Sequence, residues 1–305
     1  MESMTPQIST LVNMESPQDV LGEAKKILLV MFPQFDVGPL DRVFFDVLSL
    51  FRGGYPGYRA CDTEYHDLKH TTDTFLAMAR IIHGAGVTGH PFSEWSVSLG
   101  LISALFHDSG YLLNLDEKGP GAKYTMIHIH RSISFTDNYF AARGFSREDF
   151  HFCRNILNCT GLDVRIDEIR FTSNENEILG KMLGTADLLG QMADRTYLEK
   201  LPFLYDEFKI AEVPGLGSEL DFYRNTPKFF DMTMDRFQHE LGGVSQYMRP
   251  HFRVRWGIDE DLYMSAIERS MAFLKQILGQ HPDDCRKHLR RAGVIQNLER
   301  IRGTL

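Results

Sequence analysis

The stretch Tyr65-His66-Asp67-Leu68-Lys69-His70-Thr71-Thr72-Asp73, taken with Leu105-Phe106-His107-Asp108, decides how the chain reads. His66, His70 and Asp73 are spaced four and three apart, so on a helix they share one face. The second piece ends an apolar run with an adjacent His and Asp. From Val97 to Phe106 nearly every residue is apolar or small. A helix without a polar face is a buried helix, so this one carries His107 and Asp108 inward. A buried carboxylate is costly unless it is paired or bound to metal. Imidazole beside carboxylate suits a borderline or hard divalent cation, and such a cation can activate water. The competing reading of any one of these groups is a satisfied core or surface residue.

Outward from these two stretches the pattern stays helical. Apolar spacing and caps predict helices over 18–33, 37–51, 64–83, from a Ser93 cap to Phe106, and about 125–143. Ser146 reads as an N-cap, with Asp149 in the capping-box position of the helix it starts. Further helices are expected at 150–159, 175–192, 196–211, 219–241 and 259–278, with a basic helical tail over 282–303. Gly84 and Gly86 should stop the third helix, Gly110 the fourth, and Arg249-Pro250 the aromatic-rich one at 219–241. No strand-like alternation persists and no internal repeat is present, so the expected fold class is all-α, a compact multi-helix domain with the metal site in its core. The expected organisation is a loose polar leader at 1–17, a main domain at 18–245, and a C-terminal helical extension at 246–305 packed on it. The Gly-, Pro- and charge-rich segment 112–123 reads as a mobile loop and a candidate lid.

Composition narrows the function. The 305 residues are 43% hydrophobic and 24% charged, the balance of a globular chain. A formal net charge of −8 leaves no basic surplus for nucleic-acid phosphates. A local basic pocket for one small phosphate ester stays open, with Arg131, Arg195 and Lys123 as the available groups. Cys61, Cys153, Cys159 and Cys285 show no paired spacing, which predicts free thiols in a reducing compartment. No apolar run reaches the length of a membrane span and the N-terminus lacks signal-peptide order, so the expectation is a cytoplasmic protein with no membrane partner. A homo-oligomer is compatible with this.

Tyr65-His66-Asp67-x-x-His70-x-x-Asp73 resembles the opening signature of class I 3′,5′-cyclic-nucleotide phosphodiesterases, Tyr-His-Asn-x-x-His-x-x-Asp. Leu105-Phe106-His107-Asp108 is similar to the His-Asp pair of the wider HD-domain metal-dependent phosphohydrolase superfamily. Ile156-Leu157-Asn158-Cys159-Thr160-Gly161-Leu162-Asp163 and Thr185-Ala186-Asp187-Leu188-Leu189 resemble two later family stretches. The motifs stand in family order across about residues 40–240.

The resemblance implies His70, His107, Asp108 and Asp187 as protein ligands of one divalent cation (Mn, Mg, Fe, Ni, Co or Zn). It implies His66 as proton donor to the leaving alkoxide and Asp108 as a catalytic carboxylate bridging to any second cation. His128 and His130 are the candidates for that second metal or for a phosphate contact, with Ser132 completing a His-x-x-x-Ser pattern. Two histidines two apart on a helix diverge, so one should face the pocket, and His128 is favoured. Asp73 is expected to hold a ligand imidazole by its other nitrogen.

The chain departs from the pattern in two places. Asp67 replaces Asn, and Ser109-Gly110-Tyr111-Leu112 follows the His-Asp pair where phosphodiesterases have another His and a Gly-x-x-Asn. Candidates for a purine-reading glutamine are Gln191, Gln238 and Gln246. The aromatics Phe222, Tyr223, Phe229 and Phe230 could line a base pocket or pack the core. The function implied is hydrolysis of a small phosphorylated, nucleotide-like substrate, first a 3′,5′-cyclic nucleotide. A nucleotide or phosphomonoester phosphohydrolase and a non-catalytic nucleotide-binding HD module are the alternatives.

Overall fold

The computed structural model describes residues 6–289, and among these the chain is all helical. The one isolated bridge, Tyr58 to Asn114, ties two loops. In chain order the helices are α1 (Ile8–Leu11), α2 (Pro17–Met31), α3 (Gly38–Phe51), α4 (Leu68–Val87), α5 (Glu94–Phe106), α6 (His128–Arg143) and α7 (Arg147–Asn158). They continue with α8 (Asn174–Met192), α9 (Tyr197–Ile210), α10 (Glu219–His239), α11 (Met248–Trp256) and α12 (Leu262–Gln280).

Five serines set five of the starts. Ser16, Ser93, Ser146, Ser173 and Ser218 each accept a hydrogen bond from the backbone N–H three residues on, satisfying a donor that the helix itself cannot. Ser146 with Asp149 forms the expected capping box.

The centre of the molecule is α4. Every residue from His70 to Ala85 is buried, and the helix packs against α8, α2, α11 and α5. Because α4 is enclosed on all sides, its sequence shows only a diluted amphipathic stripe. Helix α5 is buried over the apolar run expected of it and ends at Phe106, just before His107. The site is thus built where the start of α4, the end of α5 and the middle of α8 meet.

Several boundaries differ from expectation for physical reasons. Asp67 caps α4 by accepting from the His70 N–H at 2.8 Å, so the helix begins at Leu68 and His66 lies in the turn before it. Gly84 and Gly86 do not stop α4. A Cβ at Gly84 would sit 1.7 Å from the Tyr247 carbonyl oxygen, so this glycine admits the following segment to the helix surface. Pro250 does not break a helix but sits in the first turn of α11, where its missing N–H is not needed. Residues 112–123 are anchored, not free. Leu112 and Leu113 are buried, the Arg59 N–H donates to the Leu113 carbonyl, and the Gly121 N–H donates to Asp62 Oδ1 at 2.8 Å.

Within the expected leader, residues 8–11 are helical and Ile8 joins the core. Residues 1–5 of that leader, and the 290–303 part of the basic tail, lie outside the described residues. All four cysteines are free. Among the described residues no helix is long and apolar enough to cross a membrane.

Candidate metal centre and cavity

His70, one turn into α4, His107, just past α5, and Asp187, in mid α8, each offer a ligand atom. These atoms all lie within 4.8 Å of one another. His70 Nε2 is 3.1 Å from Asp187 Oδ1, and His107 Nε2 is 3.6 Å from the same oxygen. Asp108 reaches the two imidazoles from the other side, its Oδ2 3.1 Å from His70 Nε2 and 3.2 Å from His107 Nε2. All four side chains are buried.

The two imidazole nitrogens face each other at 3.1 Å. Both cannot carry a proton there, because the two N–H bonds would point into one gap. His107 Nδ1 lies 2.8 Å from the Ala104 carbonyl, to which it can only donate, so the Nε2 of the neutral ring is a bare lone pair. Asp108 Oδ2, though buried and close to both rings, accepts no well-formed hydrogen bond. The two imidazoles can share at most one proton in that gap, and two carboxylate oxygens converge on the same point, so the group favours a positive charge among them. Neighbouring ligands of an octahedral dication at about 2.1 Å lie about 3.0 Å apart, which is the spacing of the closest pairs here. The residues therefore fit a divalent cation.

Protons tell the same story. Burial works to lower the His70 pKa, but the adjoining Asp108 and Asp187 carboxylates outweigh it and carry the ring up to about 9. His107 is also driven upward against its burial, chiefly by Asp108. Burial opposes the charge on Asp108 and Asp187, yet the paired imidazoles hold both carboxyls well below the usual carboxylate range. The cluster is a cation sink, and protons and a metal compete for it.

Further groups fix these ligands. Gln191 Nε2 donates to Asp187 Oδ1 at 2.7 Å, and the Tyr65 hydroxyl donates to Gln191 Oε1 at 3.1 Å. Ser132, in α6, donates to the His107 carbonyl at 2.6 Å and accepts the Gly110 N–H at 2.9 Å, clamping the turn after α5. Gly110 does not simply end that helix. A Cβ there would stand 1.9 Å from the His128 carbonyl oxygen, so glycine is what lets α6 close on the turn.

His66 sits beside this group, with its ring centroid 5.9 Å from that of His70. Its Nδ1 lies 2.6 Å from Glu207 Oε2, while Glu207 Oε1 accepts the Tyr65 N–H at 2.7 Å. A carboxylate accepts, so Nδ1 is the protonated nitrogen of neutral His66, and a second proton would go on Nε2. The ring stacks on Tyr111 at 4.4 Å, and Tyr111 stacks in turn on His128 at 4.8 Å.

His128 donates from Nδ1 to the Thr125 carbonyl at 2.6 Å, and its Nε2 is 3.9 Å from Asp108 Oδ1. Burial, only partly offset by Asp108, pushes the His128 pKa down, which keeps the ring neutral and its Nε2 available. His130 is exposed on the outer wall of the cavity. Of the two, the structure brings His128 to Asp108.

Asp73 does not hold a ligand imidazole. Its Oδ2 takes the Lys69 ammonium at 2.6 Å, and Lys69 also reaches Asp194 at 3.2 Å. The helical face inferred for it begins only at Leu68, and the turn of α4 points Asp73 toward the α8–α9 junction. Arg131, a candidate phosphate contact, is instead committed to Glu117 and to the Gly110 and Leu112 carbonyls. Neither Lys123 nor Arg195 lines the cavity.

Glu207 escaped sequence reading altogether. It lies 141 positions from His66, in a helix that buries Glu199 as well as apolar residues. A carboxylate on the apolar face of α9 was the only signal.

Above the ligands opens a cavity of about 510 Å³, floored by Asp108 and Asp187 and walled by residues of α9, α10 and two loops. This is the size of a small-molecule site. Comparison with curated proteins returns no match. A family model, described as Npun_R2479-like, matches residues 56–245, which span His66, both ligand turns, Asp187 and Glu207. The chain belongs to the Npun_R2479-like family.

Proposed function

We propose that this chain is a metal-dependent phosphohydrolase acting on a small phosphoester. One juxtaposition carries the reading: a buried group of two imidazoles and two carboxylates fit for a dication, with a carboxylate-oriented histidine beside it at the floor of one cavity. A bound divalent cation supplies Lewis acidity and a water of lowered pKa. The chain supplies the rest. Asp108 and Asp187 face the cavity and balance the positive charge held there. His66 is placed to give a proton from Nε2 to the departing oxygen, and Glu207 fixes the ring through Nδ1. Tyr111, whose ring stacks on both His66 and His128, helps hold the two imidazoles in place.

The test is a panel. Purified protein with Mn, Mg, Ni or Co meets cyclic mononucleotides including 3′,5′-cyclic AMP, nucleoside mono- and triphosphates, and nitrophenyl phosphate esters. Metal-dependent turnover of at least one phosphoester is expected, abolished by a chelator. No turnover with any metal, together with tight nucleotide binding, would move the chain to a non-catalytic binding role.

A further inference from the structure

We infer that the ligand of this cavity is an amphiphile: a single phosphate head on a flexible apolar tail, the tail lying along α9 and α10. The head-group half rests on the hydrolase reading above, but the tail half does not.

Charge comes first. No lysine or arginine lines the cavity, whereas Asp108, Asp163 and Asp187 do. Arg131, bonded to the Gly110 carbonyl just after the His107-Asp108 pair, is spent on Glu117 and on backbone carbonyls. A dication held there would be the one positive centre at the floor, enough to attract a single phosphate. A second or third phosphate would stand among carboxylates with no counter-charge from the wall.

The walls come next. Leu201, Leu204 and Phe208 of α9 and Phe222 and Phe229 of α10 line the space above the metal group, with Phe208 packed edge to face on Phe222 at 5.8 Å. Several of the polar side chains among them are already occupied, leaving the exposed Asn225 and Asp163. The Gln191 amide is used at both ends, by Asp187 and Tyr65. The Thr160 and Thr226 hydroxyls donate to carbonyls of their own helical turns, and Asn158 does the same. A purine or pyrimidine edge would find few free partners there, and a site that leaves base-edge donors and acceptors unpaired rejects the base.

The rim is the independent observation. Met126, Ile127, Leu162 and Met232 are 59, 48, 54 and 61% exposed, and all four ring this one mouth. Exposed apolar residues scattered singly need no explanation, but their convergence on a cavity mouth marks a binding surface for something apolar. An apolar tail longer than the wall would leave the cavity across this rim.

The chemistry balances without redox. Water oxygen bonds to phosphorus, the phosphorus–oxygen bond to the apolar alcohol breaks, and the alcohol leaves with the proton that His66 delivers.

Binding tests the inference separately from turnover. The full chain, loaded with Mn²⁺, is titrated calorimetrically with n-alkylphosphonates from ethyl to dodecyl below their micelle concentrations, and with AMP. The expected result is a Kd that tightens about threefold to fourfold for each added methylene until the cavity is filled, with AMP weaker than the long phosphonates. Met232→Glu, at an exposed rim position that the fold tolerates, should weaken dodecylphosphonate about tenfold. Val254→Glu, equally exposed but outside the cavity, should not change it. A flat chain-length series, or AMP binding tighter than dodecylphosphonate, overturns the inference even in an active enzyme. A steep series in a protein that hydrolyses no phosphoester leaves the inference standing and removes the hydrolase reading instead.

Discussion

Helix α4 carries two buried histidines thirteen residues apart, and each meets a second buried histidine from elsewhere. His70 Nε2 faces His107 Nε2 at 3.1 Å, and His83 Nδ1 faces His251 Nδ1 at 3.2 Å. Burial and spacing are nearly the same, but the neighbours are opposite. Two carboxylates flank the first pair, whereas the second lies near the buried guanidinium of Arg80, which bonds the Tyr263 hydroxyl at 2.8 Å and sits over the Phe252 and Tyr263 rings. Consequently the first pair is pulled toward positive charge. In the second, His251 is pushed down to about 2 by burial and then by Arg80, His83 and Arg255, and His83 is lowered by burial and Arg255. A neutral pair can share one hydrogen bond and be content as core. What separates a cation site from a packed histidine pair is the sign of the charge around it, not its depth.

The hardest test of that contrast is metal content after paired substitutions. Asp108→Asn removes a charged oxygen from the first pair. The expected outcome is loss of stoichiometric metal by elemental analysis and a fall in phosphoester turnover of at least about 10³-fold. His251→Gln should leave metal content unchanged and turnover within about threefold, while lowering stability by about 1–3 kcal/mol through the disturbed core. Metal lost from the His251 variant, or kept by the Asp108 variant, would break the comparison.

Next in size is the proton donor. His66→Asn should cost about 10²- to 10³-fold on an ester of a poor leaving group and much less on a nitrophenyl ester, whose leaving group departs without a proton. Glu207→Gln should cost about 10- to 100-fold, because the ring loses the carboxylate that orients it and fixes which nitrogen carries the proton. Equal losses on both classes of ester would show that His66 holds the site together without handing over a proton.

The second pair makes a prediction about pH. An unfolded histidine titrates near 6.5, and folded His251 is held down to about 2. Between those values the folded state binds fewer protons than the unfolded one. The stabilisation is therefore present above about pH 6.5 and is lost as pH falls, at up to about 1.4 kcal/mol per pH unit. Chemical denaturation of the chelated protein at pH 7, 6 and 5 should show this slope, and His251→Gln should flatten it. A slope unchanged in the variant would put the acid sensitivity elsewhere.

What the sequence made legible follows the range of the forces involved. Helix starts set by a serine and the N–H three residues on are local, and the sequence places them closely. The run 97–106 is buried because it has no polar face, and that too is local information. Asp67 was legible as a departure from a motif but not as the cap that excludes His66 from α4. Pro250 reads as a breaker unless one knows that a first turn begins at Met248. Asp73 was misassigned because a shared helical face says nothing of what stands opposite, and Lys69 and Asp194 stand there. Glu207 and the apolar rim arise from contacts across a hundred residues or more, for which a single sequence carries no spacing rule.

The smallest expected effect concerns the one motif position where the chain carries Asp in place of Asn. Asp67 does two things: it caps α4 through Oδ1, and its Oδ2 lies 3.0 Å from the Lys200 ammonium of α9. Asparagine caps a helix about as well as aspartate, so Asp67→Asn should keep the start of α4 and therefore the position of His70. It forfeits the attraction to Lys200, a partly buried pair that contributes about 1 kcal/mol or less. The expected result is a loss of stability below about 1 kcal/mol, with metal content intact and turnover within about twofold. Asp67→Ala removes the cap as well and should cost about 1 kcal/mol more. If Asp67→Asn alone lowered metal affinity tenfold, the charge at this position would belong to the cation group and not to the helix end. The contrast drawn between charged and neutral surroundings along α4 would then have to extend one turn further toward the N-terminus.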